Sequence, residues 1–172
     1  MALRTAPVGG WAGGGPGSAP EAPDLLVMGG ERLGRIMPAM ARAFGQFDVE
    51  ITPLQPSVDQ DGVSTGRNQI EKQFQGDLDG TSRGEMLTAM IPATQAAAYV
   101  AIERVNARLA GRRGTFVLQH TGTSGAAGQK LVVTVVPGSG TGQLAGIVGT
   151  MTLEGRGGNH TYTLDYGFEP TA

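Results

Sequence analysis

From Phe44 onward, the chain runs in segments of roughly 8 to 12 residues, rich in β-branched and aromatic types and separated by glycine-bearing turns. That spacing is too short for a helical bundle and matches an all-β sandwich or barrel. Eight segments can be marked: Phe44–Pro53, Asn68–Gly76, Thr81–Ile91, Ala97–Leu109, Thr115–Thr121, Gln129–Val136, Ile147–Glu154 and Thr161–Glu169. Composition agrees, because 29 of the 172 residues are glycine and only 16% are charged, a balance that favours many tight turns over long solvated helices. The connection Gly138–Gly146 is too short for a crossover helix, so consecutive strands are expected to be antiparallel neighbours. Eight of them in sequence order predict an up-and-down barrel, since closure removes the edges an open meander exposes. The stretch from Leu54 to Arg67 is polar and aperiodic and reads as a mobile loop.

The chain ahead of the barrel has a different texture. Residues 1–23 are dominated by Gly, Ala and Pro, which bury too little apolar surface to offset the entropy of ordering, so they are expected to be disordered. Leu25, Leu26, Met28, Leu33, Ile36, Met37 and Met40 fall loosely on one helical face, but Gly29-Gly30 and Pro38 interrupt it, which predicts at most a short, marginal helix. The chain therefore divides into an extension over 1–42 and a barrel domain over 43–172. Glycine and proline break the N-terminus before an apolar run reaches signal-peptide length, and no later run approaches a membrane span, so cytoplasmic residence is expected.

Several function classes are disfavoured by what the chain lacks. A formal net charge of −2 without a lysine or arginine run offers no counterion-releasing surface for nucleic acid. The absence of cysteine removes disulfides, thiolate metal sites and cysteine nucleophiles. His120 and His160 are the only histidines and lack metal-ligand spacing, so no metal is expected. No Gly-x-Ser-x-Gly elbow is present. Gly140-Thr141-Gly142-Gln143-Leu144-Ala145 superficially matches a dinucleotide fingerprint, yet that mechanism needs a helix inside a parallel βαβ unit. A strand-connecting turn is the better reading, and no cofactor is implied.

One hairpin can be read in detail. Leu109-Ala110-Gly111-Arg112-Arg113-Gly114 suits a two-residue loop with Gly111 at the first central position, where positive φ is required. That register pairs Ala110 with Arg113 and sets Glu103 opposite His120, Val105 opposite Leu118 and Ala107 opposite Phe116. With Tyr99 and Ala101 these form the more apolar face, which should point inward, leaving Arg104, Asn106, Arg108, Gln119 and Thr121 in water. Val100, Ile102 and Val117 on the outer face are candidates for a subunit contact.

Ile102-Glu103-Arg104-Val105 followed by Leu109 through Thr123 (LAGRRGTFVLQHTGT) resembles the signature of a bacterial domain-of-unknown-function family, number 3224. Phe44-Gly45-Gln46-Phe47-Asp48-Val49, Val135 through Gly146 (VVPGSGTGQLAG) and Tyr162-Thr163-Leu164-Asp165-Tyr166 extend the resemblance over nearly all of residues 43–169. It implies an eight-stranded barrel related to that of allene oxide cyclase and carries over no catalytic residues. It also implies that members begin near Met37 or Met40, so the residues before are an addition or lie upstream of the true start.

Glu103 and His120 are the candidate catalytic pair. A carboxylate beside an imidazole fixes its tautomer and raises its basicity, the arrangement of a general base; the same pair also serves simply to satisfy two polar groups in a barrel. Tyr99, Glu85, Tyr162 and Tyr166 are candidate ligand-binding residues around the same interior, although strand tyrosines are commonly core groups with a wet tip. Three functions fit: a barrel binding a small, mostly apolar molecule, a cofactor-independent isomerase or cyclase resembling allene oxide cyclase, and a ligand-free structural barrel that self-associates.

Overall fold

The computed structural model describes residues 38–156 and 158–170, and from Ala41 onward it is built almost entirely of strands. They are β1 (Ala41–Pro53), β2 (Val58–Gln60), β3 (Val63–Gly76), β4 (Leu78–Ile91), β5 (Ala96–Leu109), β6 (Arg112–Gly125), β7 (Gly128–Val135), β8 (Ile147–Arg156) and β9 (Asn159–Phe168). The sheet runs β1-β9-β8-β7-β6-β5-β4-β3-β2, and β1 also pairs with β3. Every pairing is antiparallel. Eight strands, β1 and β3 to β9, thus close the expected barrel, with β2 attached to β3 alone. The expected disorder and marginal helix fall on residues outside the described ones, apart from the irregular Pro38–Met40. Among the described residues no helix is long and apolar enough to cross a membrane.

Strand alternation sorts the side chains. Along β5, Ala101, Glu103, Val105, Ala107 and Leu109 are buried, whereas Val100, Ile102, Arg104, Asn106 and Arg108 are exposed. The end of the barrel that carries the β3–β4 and β5–β6 turns, here the lower end, is filled by Leu78, Leu109, Phe116, Leu144 and Ile147, all without accessible surface. Leu144 comes from the β7–β8 connection, whose one 3₁₀ turn spans Gly142–Leu144. That connection lies along β6: Thr141 N–H donates to Thr115 O at 2.8 Å, Arg113 N–H to Gln143 Oε1 at 2.8 Å and Val117 N–H to Ser139 Oγ at 3.0 Å. The glycine-rich segment is therefore a plug that seats Leu144 in the core.

Two expectations are corrected. The loop placed at Leu54–Arg67 contains a small hairpin in which Val58 to Gln60 pair with Thr65 to Val63. It turns on Asp61 and Gly62 with φ of 52° and 78°, the two positive values that Asp-Gly supplies in a type I′ turn. Polar flanking residues had hidden it. In the β5–β6 hairpin the turn residues are Ala110 and Gly111, with φ of 46° and 85°, and Leu109 pairs with Arg112. Moving the turn by one residue shifts each opposed pair by two, so every side chain keeps its face while Glu103 stands opposite Leu118 and His120 opposite Ala101.

Candidate functional site

At mid-height, three adjacent strands and one neighbour direct polar side chains into the interior. Lys72 follows Ile70 and precedes Phe74 on the inward face of β3, Ser82 points inward from β4, Glu103 from β5 and His120 from β6. All four are buried, Glu103 completely. Lys72 Nζ donates to Glu103 Oε2 at 2.6 Å, and the Ser82 hydroxyl donates to Glu103 Oε1. His120 Nε2 is 2.8 Å from Oε2. It sits off the line a hydrogen bond requires, leaving this buried nitrogen without an aligned acceptor among the described residues. The Lys72 ammonium also faces the rings of Phe47 and Phe74, 5.4 and 5.9 Å from their centroids, contacts that stabilise a desolvated cation.

Burial alone pushes the Glu103 carboxyl up, but the close His120 contact and the Lys72 charge outweigh it and hold the group down at about 2. The cluster therefore contains an ionised carboxylate at any ordinary pH. Tyr99, two residues above Ala101 on the same inward face, is half-buried. Burial, assisted by the negative charge of Glu103, raises its phenol to about 12, so it remains a neutral donor.

Of the residues singled out from the sequence, Glu103 and His120 meet, on a diagonal of the β5–β6 ladder, and Tyr99 stands above them. Glu85 does not join them. It lies on the outer face of β4, exposed, and Arg67 Nη2 contacts its Oε2 at 2.6 Å. The inward residues of β4 near it are Ser82, Gly84 and Met86; with such small groups inside, the hydrophobic contrast between the two faces is weak. Tyr162 is buried elsewhere: its hydroxyl accepts from Leu78 N–H at 2.8 Å and lies 3.1 Å from Phe44 O, at the β3–β4 turn. Tyr166 packs edge-on against Phe168 near the start of β1, opposite Ala41. Lys72 and Ser82 escaped the sequence reading; the signal that could have found them is alternation, since both share the inward parity of a buried neighbour, Phe74 and Leu78 respectively.

Above the cluster the inward-facing apolar side chains Val49, Met86, Leu131 and Leu153 are half-buried, in contrast to the sealed lower end. A concavity of about 1080 Å³ lies on the outer wall, lined mainly by outward side chains including Asp48, Glu50, Glu71, Arg83 and Arg104. Among the described residues no group of His, Asp and Glu is placed to hold a metal ion.

The comparisons with known proteins agree with this architecture. The family model described as "Protein of unknown function (DUF3224)" matches residues 43–166. A solved crystal structure of a protein with unknown function from the same family, from Shewanella oneidensis MR-1, is 42% identical, covers 77% of this chain and 100% of its own, and superposes with a TM-score of 0.73. No curated protein matches the chain. Sequence and fold together place this chain in the DUF3224 family, a family of unknown function, as a member built on an eight-stranded barrel.

Proposed function

We propose that the barrel holds one small, mostly apolar molecule at its upper end, over the Lys72–Glu103–His120 cluster. The observation that carries this reading is His120 Nε2, a buried nitrogen whose contact with Glu103 Oε2 at 2.8 Å lies off the hydrogen-bond line. Such groups are rare because a poorly aligned contact returns only part of the hydration given up, the full loss being on the order of 1–3 kcal/mol. A polar atom arriving from the upper end would compensate it. The half-buried Val49, Met86, Leu131 and Leu153 supply apolar wall, and Tyr99 supplies a neutral donor, the mixture by which small-molecule sites fix orientation. Lys72 and Glu103 balance each other in charge, so the ligand class favoured is neutral, with a carbonyl or hydroxyl at one end.

Binding is better supported than proton transfer. A general base works best with a pKa near the operating pH, and a carboxylate held at about 2 is a weak proton acceptor and a good fixed charge. An isomerase or cyclase resembling allene oxide cyclase would have to use His120, with Glu103 only orienting it, as its base.

The test is native mass spectrometry of gently purified protein, beside titration with the neutral apolar fluorophore N-phenyl-1-naphthylamine. The expected result is a non-covalent mass lost on denaturation, or saturable dye binding at one site that weakens in His120→Ala and Tyr99→Ala. No retained mass together with no saturable dye binding would overturn the reading.

A further inference from the structure

The register of the outer wall places four charges side by side in one row. Glu50 on β1 is directly opposite Glu71 on β3, Glu71 opposite Arg83 on β4, and Arg83 opposite Arg104 on β5. Across four neighbouring strands the row thus reads negative, negative, positive, positive. Like charges directly opposed across a ladder are destabilising, and here two such pairs stand in the same row. Only the middle junction is relieved, where Arg83 Nε is 3.6 Å from Glu71 Oε1. Glu50 and Arg104 form no ion pair among the described residues, and Asp48, two residues before Glu50, forms none either.

We propose that this wall is the face on which two copies of the chain associate. Consider a two-fold axis lying in the contact plane and parallel to the strands. It sets the row of one copy against the same row reversed, so that Glu50 faces Arg104 of the second copy and Glu71 faces Arg83, with both relations repeated by symmetry. A two-fold axis at right angles to the strands would set acid on acid, so the charges select one orientation. The next rows toward the upper end carry exposed apolar groups on the same strands: Ile102 at 56% exposure, Leu87 at 54% and Val100 at 50%. Leu87 and Val100 are themselves opposed across β4 and β5. They supply the desolvated part of the contact. Four strands at about 4.8 Å and eight residues at about 3.3 Å give a footprint of roughly 500 Å². That lies at the small end of protein–protein contacts, where reversible association belongs.

The experiment is sedimentation velocity over a wide concentration range on the full chain, with charge-reversal variants. The wild type is expected to show a concentration-dependent dimer that weakens with added salt. Glu50→Arg or Arg104→Glu alone should raise the dissociation constant by on the order of tenfold or more, since like charges then face each other across the contact. The double variant should recover most of the wild-type affinity. Within one barrel these residues are three strands apart, about 14 Å, so recovery reports a contact between copies. Ile102→Lys, at the apolar side, should also dissociate the dimer, and it keeps the test valid should a charge variant fail to fold. A concentration-independent wild-type monomer, a dimer indifferent to all these changes, or a double variant no tighter than the singles would overturn the proposal.

Discussion

The ring of Tyr99 lies across Gly122, its directly opposed neighbour on β6, so closely that a Cβ at Gly122 would overlap Cε1 of the ring. The same pairing recurs at the opposite end, where Tyr162 covers its opposed neighbour Gly45 and a Cβ there would meet the ring at 2.7 Å. An aromatic laid over a glycine fills the space its missing side chain leaves and shields the strand backbone. Gly122→Ala should therefore destabilise by about 1–3 kcal/mol, the usual cost of overpacking. The penalty should shrink in a Tyr99→Ala background, a coupling that urea denaturation of the four variants in the cycle measures.

Tyr162 also acts through its hydroxyl, which takes the Leu78 amide at 2.8 Å and reaches Phe44 O at 3.1 Å, joining β9 to β1 and to the β3–β4 turn. Tyr162→Phe should cost about 1–3 kcal/mol by leaving a buried amide unsatisfied. Faster hydrogen exchange at Leu78 than the global loss of stability explains would locate the effect.

Lys72→Met removes the cation and leaves Glu103 a buried charge held only by Ser82 and His120. Breaking a buried pair from one side typically costs about 3–5 kcal/mol, whereas replacing both members with apolar groups of similar volume is far milder. Equilibrium denaturation should accordingly find Lys72→Met/Glu103→Leu more stable than Lys72→Met alone.

Glu103 also sets an acid limit. Its pKa is lowered from 4.5 to about 2 on folding, so the unfolded chain binds its proton first. Its contribution is fully present above about 4.5 and is lost as the pH falls toward 2. Stability measured against pH should fall less steeply through that window in Glu103→Gln than in the wild type, although the variant is less stable at neutral pH.

Ala110 holds a φ of 46°, a conformation that costs a residue with a Cβ about 1 kcal/mol. Ala110→Gly should stabilise the β5–β6 hairpin by up to about that amount, visible as a raised denaturation midpoint with unchanged m-value.

Ala110 also shows where the sequence was hard to read. Gly111 announces a turn but not which central position it takes, and an alanine accepting positive φ carries no mark of its own. A slip between the two positions preserves each residue's face, so the contact of Glu103 with His120 was legible although its geometry was not. The strands were legible because glycine-bearing turns punctuate them and β5 and β6 alternate strongly. On β4 the inward residues Gly80, Ser82 and Gly84 are small, so nothing in the sequence marks Glu85 as lying on the outer face. Lys72 sits between Glu71 and Gln73 and has the look of a solvated run; only its parity with Ile70 and Phe74 marks it as interior.

The barrel is sealed by β1 and β9, whose side chains meet across more than a hundred positions of chain, as where Arg42 Nε contacts Asp165 Oδ1 at 2.5 Å. On the ribosome β1 emerges first, and β3 can join one of its edges soon afterwards, but the other edge must wait for the last strand to be synthesised. Until then β1 and β8 each present an open ladder to whatever is nearby, and closure over so long a separation is slow. The interval between making β1 and capping it with β9 is thus the period when nascent copies are most prone to pair with one another, and slowing translation through β8 would lengthen it.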